Sequence, residues 1–260
     1  MSLIAVAVQG RGLVDPNEPV FYADDESILR GSVAFETVRS YGGVPFLLDR
    51  HIERLRHSIA ALALPAVDGV EQLVAEVGAA SPLDYTLRIY RTERILIATT
   101  APIPEGLEEE RARGTSLRSI EMAPAELLAG TKSTSYGAAF AARREAERLG
   151  ADEALFITDG FVLECATANV WWRRGETVFT PATRAGVLGG VTRGALLELE
   201  PATEGAFPFG DVASADEVFT TSSIREVMPV VELDGAPIGD GKPGPAARRL
   251  QAALRLRSTP

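Results

Sequence analysis

Residues 131–172 read TKSTSYGAAFAARREAERLGADEALFITDGFVLECATANVWW, and the apolar period changes within them. From Gly137 to Leu149 the string is alanine-rich, with Phe140, Ala141 and Leu149 on one side at helical spacing and Gly150 where a helix would end. Ala154–Thr158 and Phe161–Cys165 then flank Asp159-Gly160, a pair suited to the positive φ angles of a tight hairpin turn. Val170–Arg173 and Thr177–Thr180 repeat the device around Gly175. A helix followed by antiparallel ribbons predicts an α+β fold.

Toward the C-terminus the pattern predicts a short helix over Val191–Leu199, strands over Glu217–Thr221 and Val227–Leu233, and a closing helix over Pro245–Leu256. In the other direction, the stretch from Glu121 to Gly130 contains Pro124 and loses all periodicity, which makes it a connector. Ahead of it, residues 3–8 read as a strand, and Ser32–Tyr41, Gly42-Gly43 and Pro45–Leu48 as a hairpin. Asp49 stands where an N-cap belongs, and Ile52, Leu55, Ile59 and Leu62 recur at helical spacing up to Pro65. Val70, Leu73, Val74 and Val77 mark a second helix, and Tyr85–Tyr90, Arg94–Thr99 and Thr115–Ile120 three more strands. Two domains are expected: a small N-terminal one over 1–120, a connector over 121–130, and a larger C-terminal one over 131–260.

Composition narrows the class. The 260 residues are 46% hydrophobic and 24% charged, and no apolar run approaches the ~20 residues of a membrane helix. A soluble chain is expected, and the absence of a basic segment before a long apolar run near Met1 predicts the cytoplasm. The net charge of −10 argues against nucleic acid as a partner. One cysteine, Cys165, makes no internal disulfide, and with two histidines it offers no zinc cluster, so no metal is expected.

Of 26 basic residues only Lys132 and Lys242 are lysines. Arginine is locked in its charged form, whereas a desolvated lysine can lose its proton and become a nucleophile. Lys242 lies in Gly239-Asp240-Gly241-Lys242-Pro243-Gly244, which matches GxGxxG, but the 16 residues after it leave no room for a dinucleotide-binding crossover. Hydrolase signatures are missing too: there is no GxSxG, and His51 and His57 both fall on the first helix pattern.

Lys132 sits between the connector and a helix, a junction where two domains would form a cleft. Tyr136, four residues on, and Glu164, at the end of a ribbon strand, are suitable partners for an amine joined to a heteroaromatic aldehyde. The competing reading makes Lys132 a surface residue near a helix start. Gly186-Val187-Leu188-Gly189-Gly190-Val191-Thr192-Arg193 opens a helix with backbone N–H groups and a hydroxyl, an arrangement suited to phosphate and also to a plain capped turn. Thr220-Thr221-Ser222-Ser223-Ile224-Arg225-Glu226 is a second run of hydroxyls, and Arg54 borders the apolar stripe of the first helix, from which it reaches either inward to an anion or outward to solvent.

The strings GSVAFETVRSYGGVPFLLDRHIERL, the 131–172 stretch, TPATRAGVLGGVTR, VFTTSSIREVMPVVELDG and GPAARRL occur in that order over nearly the whole chain. Together they resemble the class IV aminotransferases, the fold-type IV pyridoxal-phosphate enzymes. That family includes branched-chain and D-amino acid aminotransferases, R-selective amine transaminases and aminodeoxychorismate lyase. The resemblance implies a two-domain α+β fold, D-amino acid aminotransferase-like, with pyridoxal 5'-phosphate in the interdomain cleft, and a homodimer. It gives Lys132 the Schiff base and the proton transfers, Glu164 the pyridine nitrogen, and Tyr136 the ring oxygen. Arg54, Val191, Thr192, Ser222 and Ser223 fall to the phosphate, and Leu188 to the ring's face.

The implied activity is transfer of an amino group from an amino acid to a 2-oxo acid. Aminodeoxychorismate lyase is the alternative, and a non-catalytic member the third reading. The chain departs from many members at Gly31-Ser32-Val33 and at Cys165, which stands where glycine commonly follows the glutamate. Arg39, Arg88, Arg91 and Arg225 are candidates for the substrate carboxylate, and strand phase alone does not separate them.

Overall fold

The computed structural model describes residues 2–122 and 126–258, which form two compact units. Of the described residues, the first takes in 2–104, Thr131–Tyr136 and Ser258, the second 105–122, 126–130 and Gly137–Arg257.

In the first unit β1 (Ala5–Val8), β2 (Gly12–Val14), β3 (Ala34–Tyr41), β4 (Val44–Pro45), β5 (Thr86–Arg91) and β6 (Leu96–Ala101) make a sheet in the order β2-β1-β6-β5-β3-β4. Each described pairing in it is antiparallel. Helices α1 (Glu26–Arg30), α2 (Leu48–Ala61) and α3 (Val70–Ala79) complete the unit. β3 alternates strictly: Ala34, Glu36, Val38 and Ser40 are buried, while Phe35, Thr37, Arg39 and Tyr41 are only partly so. Onto the buried face α2 lays Ile52, Leu55 and Ile59, and α3 lays Val70, Leu73, Val74 and Val77. Each such side chain contributes roughly 1.5–3 kcal/mol of hydrophobic stabilisation.

The entry to α2 differs from the expected Asp49 cap. The helix begins at Leu48 after a left-handed Leu47 (φ 50°), and no side chain caps it. Leu48 packs on the core, which draws the first turn two residues earlier, and Asp49 becomes a first-turn acid that favours the helix dipole. The partner strand of the hairpin is correspondingly cut to Val44–Pro45.

The second unit comprises α4 (Leu107–Arg113), β7 (Thr115–Glu121), α5 (Gly137–Arg148), β8 (Glu153–Thr158), β9 (Phe161–Cys165), β10 (Asn169–Arg174), β11 (Thr177–Pro181), α6 (Val191–Leu199), β12 (Ala202–Gly205), α7 (Phe209–Ala213), β13 (Glu217–Ser222), β14 (Glu226–Leu233), β15 (Ala236–Pro237) and α8 (Pro245–Ser258). Its sheet runs β12-β11-β10-β13-β14-β7-β8-β9, with β15 on β14. Asp159 and Gly160 both take positive φ, as their turn requires. Trp171 stacks on Phe219 on one face of the sheet, and Trp172 meets Phe207 edge-on on the other.

The expected boundaries move. α4 and β7 lie before the expected connector yet belong to the second unit, because β7 pairs parallel with both β8 and β14. Thr131–Tyr136 belongs with the first unit instead, since Ser133 bridges to Ala34 of β3. Pro124 falls outside the described residues. The GxGxxG string is a helix entry: Glu217 accepts from the N–H groups of Ala246 and Ala247, and a Cβ at Gly244 would fall 2.1 Å from its Cδ. Lys242 in that loop is exposed.

Candidate active site

In the first unit the 131–136 segment is held along β3 by an isolated antiparallel bridge, Ser133 to Ala34. Phe35 donates its N–H to the Lys132 carbonyl at 3.1 Å, and Thr134 its N–H to the Val33 carbonyl at 2.9 Å. From the other side the Lys132 N–H donates to Ser58 Oγ at 3.0 Å, and the hydroxyls of Thr134 and Ser135 both donate to the Gly31 carbonyl. Lys132 is therefore fixed at its backbone by β3 and α2 together, and its Nζ stands over the Phe35 ring, 4.5 Å from the centroid. Tyr136 meets that ring edge-on at 5.7 Å, and Tyr90 stacks on it at 6.2 Å. Burial pushes the Tyr90 phenol up, against the Arg88 charge.

Arg54 projects from α2 onto Glu36, a fully buried acid of β3. Its Nε and Nη2 donate to the two carboxylate oxygens at 2.8 and 2.7 Å, and His51 Nδ1 lies 2.7 Å from Oε2. Burial alone would raise the Glu36 pKa; hydrogen bonds from Arg54 and His51, with the Arg54 charge, outweigh it and hold the group down to about 2. His51 shifts down, chiefly through burial and further through the Arg54 and Lys132 charges, against the pull of Glu36. An ionised Glu36 only accepts, so the neutral imidazole carries its proton on Nδ1 and donates it. Neither Glu36 nor His51 stood out in the sequence. The available signal was the three-residue spacing of His51 and Arg54, which puts both on one helix face.

Strand register separates the four arginines. Phe35 pairs with Tyr90, Thr37 with Arg88 and Arg39 with Thr86, so Arg39 and Arg88 share the face of Phe35. Arg91 pairs with Ala34 on the opposite face, and its Nε donates to the Pro65 carbonyl at 2.9 Å. Arg225, in the second unit, is paired with Glu110 at 2.5 Å. Arg39 stacks over Tyr41, toward the β4 end of the strand.

In the second unit Glu164 stands near the end of β9. Its Oε1 accepts the Leu188 N–H at 3.0 Å and its Oε2 the Asn169 side-chain amide at 3.0 Å. The same amide nitrogen donates to the Leu188 carbonyl at 2.8 Å. α6 starts two residues after Gly189 with no side-chain cap, so the N–H groups at Val191 and Thr192 form an uncapped helix start. Both residues are buried. Ser222 and Ser223 lie half-buried in the hairpin between β13 and β14. That hairpin is anchored by Glu226 (φ 58°), which accepts from Arg111, Gln251 and Arg255 at 2.8 to 3.1 Å. Next to Glu164, burial drives the Cys165 thiol well up, helped by the charges of Glu153 and Glu164, so it stays protonated and inert.

These residues fit a pyridoxal-phosphate site. Two uncharged donors, the Leu188 N–H and the Asn169 side-chain amide, orient the Glu164 carboxylate. A glycine-flanked, uncapped helix start is suited to a phosphate dianion.

Amino-transferase class IV matches residues 33–233. The chain is 27% identical over 273 residues to a D-alanine aminotransferase of Bacillus licheniformis, covering 96% of this chain and 95% of that protein. It is 30% identical over 274 residues to an aminodeoxychorismate lyase of Bacillus subtilis, covering 95% and 92%. Among solved structures, a hypothetical aminotransferase from Mycobacterium tuberculosis in its α-ketoglutarate- and PMP-bound form superimposes with a TM-score of 0.88 at 24% identity, over 98% of this chain and 99% of that one.

Proposed function

Because this chain belongs to the class IV amino-transferase family and has the fold-type IV architecture, we propose that it is a pyridoxal-phosphate-dependent aminotransferase moving an amino group from an amino acid to a 2-oxo acid. The observation that carries the reading is Lys132: one of two lysines in the chain, held at its backbone by β3 and α2, with its amine on an aromatic wall. When bound, the cofactor supplies a protonated aromatic ring that accepts the electron pair of a broken Cα–H bond.

The chain's own residues do the rest. Lys132 would hold the cofactor through its side-chain amine, and as a freed neutral amine it would take the proton from substrate Cα. Glu164 would face the ring nitrogen and favour its protonated form, and Tyr136 would serve the ring oxygen. Val191 and Thr192, with Ser222 and Ser223, offer donors to the phosphate. Arg54 adds its positive fork, oriented by Glu36. Leu188 gives the ring an apolar contact.

Arg88 is the substrate-carboxylate ligand in this scheme. It shares the face of Phe35, over which Lys132 stands, whereas Arg91 and Arg225 are engaged elsewhere. Replacing it by methionine removes a charge-assisted hydrogen bond, so KM for an amino-acid donor rises roughly 10- to 100-fold. Steady-state kinetics on that donor and on an amine lacking a carboxylate checks this: the second substrate is unaffected, and Arg39→Met gives the smaller effect. A homodimer in the cytoplasm completes the proposal. Among the described residues no helix is long and apolar enough to cross a membrane.

The 30% identity to the lyase favours a second reading, in which the same lysine serves pyruvate elimination from aminodeoxychorismate. One screen decides. The holoenzyme is offered both enantiomers of several amino acids with a 2-oxo acid, and separately aminodeoxychorismate. Conversion of the bound cofactor to its amine form by a donor supports transfer, and 4-aminobenzoate without such conversion supports the lyase.

A further inference from the structure

Asn169 is the first residue of β10, five positions beyond Glu164 and buried. Its amide nitrogen donates to Glu164 Oε2 and to the Leu188 carbonyl, while the N–H of the same Leu188 donates to Glu164 Oε1. One carboxylate, one side-chain amide and one residue's two peptide groups thus close a ring of three hydrogen bonds. The amide has one workable orientation: turned over, its oxygen would face a carboxylate oxygen and a carbonyl oxygen at under 3.1 Å, three acceptors together. Its own oxygen instead lies against Gly190, where a Cβ would fall 2.1 Å from it. Position 190 therefore requires glycine because of Asn169, and the loop entering α6 is registered against Glu164 through this one side chain.

We propose that Asn169 is a positioning residue. It sets the direction of the Glu164 carboxylate and locks it to the Leu188–Gly190 loop, so that the acid for the ring nitrogen and the helix start for the phosphate are held as one piece. The role rests on the cofactor reading above. Both donors to Glu164 in this ring are uncharged amides, so Asn169 contributes direction to the carboxylate rather than charge. Lost orientation weakens the ring-nitrogen contact even where Glu164 itself is present.

The test is titration of the apo-protein with pyridoxal 5'-phosphate, read by tryptophan fluorescence and by the visible spectrum. It is run on wild type, Asn169→Ser, Glu164→Gln and the double variant. Asn169→Ser weakens binding roughly 10- to 100-fold, the range for losing a hydrogen bond to a charged group. It also moves the pH midpoint of the visible band. On the Glu164→Gln background the same change costs little, because the group it positions has lost its charge. Asn169→Asp keeps the shape but sets two carboxylates together, so its affinity is poor at neutral pH and recovers as pH falls and a carboxyl proton bridges the pair. It serves if the serine variant does not fold, as judged by circular dichroism of the apo-protein. Wild-type affinity in Asn169→Ser, or losses that add with those of Glu164→Gln, overturn the proposal. A wild-type protein that takes up no pyridoxal phosphate overturns the cofactor reading itself, and the two failures are told apart in one experiment.

Discussion

Lys132→Ala reduces turnover by at least ~10³-fold, since one change removes both the covalent attachment and the group that moves the Cα proton. Stability changes little. The contact of the side chain with the Phe35 ring is worth about 0.5–2 kcal/mol, and the segment's backbone bonds to Ser58 and β3 remain. The variant still takes up cofactor without covalent attachment, because the donors around α6 and the β13–β14 hairpin are untouched. Lys132→Arg is equally inactive: it restores the positive charge over Phe35 but has no deprotonated amine to offer. Single-turnover absorbance and steady-state rates on both variants check the prediction. Near-normal activity in either would show that chemistry resides elsewhere.

The second large effect concerns Glu36 and is read in stability. Its folded pKa is depressed to about 2 from 4.5, so its contribution is complete above pH 4.5 and lost as pH falls from there through 2. The depression corresponds to a contribution on the order of 3 kcal/mol. His51 acts in the same direction. Its pKa is lowered from 6.5, so the unfolded chain takes up that proton first and stability begins to decline below pH 6.5. Denaturant midpoints should fall gently from pH 6.5 and steeply below 4.5. Glu36→Gln removes the steep limb and, at neutral pH, costs about 3–5 kcal/mol by leaving the largely buried Arg54 fork without its counter-charge. It also weakens phosphate-dependent cofactor binding, because Arg54 loses the partner that aims it. A variant with wild-type midpoints at pH 7 and an unchanged acid limb would remove Glu36 from the account.

What the sequence made legible was local. The Asp159-Gly160 turn has two residues that tolerate positive φ, and α6 was delimited at Val191–Leu199 by glycines before it and an apolar period within it. Non-local pairings carry no comparable mark. The Thr115–Glu121 strand reads as a strand from its own residues, but nothing in them says that it joins β8 and β14 rather than the first sheet. α4 was missed because Leu107-Glu108-Glu109-Glu110-Arg111-Ala112-Arg113 has almost no apolar period; its charges are taken up by partners such as Glu226 and Arg225, more than a hundred residues away.

The site shows the same division. Lys132, Arg54, Glu164 and the α6 entry are carried by family strings, and the structure puts Lys132 and Arg54 with their neighbours in the first unit and Glu164 with Leu188 in the second. Glu36, His51 and Asn169 act through hydrogen bonds that only the folded registers create. Alternation alone put Phe35, Thr37 and Arg39 on one side of β3. Deciding that this is the side away from α2, and that Arg88 joins it, required the pairing of β3 with β5.

The central claim is most directly tested by incubating the purified protein with pyridoxal 5'-phosphate, reducing with borohydride, digesting, and locating the added mass. The chain's two lysines, Lys132 and Lys242, give an unambiguous readout. The account predicts one stoichiometric adduct on the peptide carrying Lys132 and none on exposed Lys242; an adduct on Lys242 alone, or no adduct at all, would contradict it.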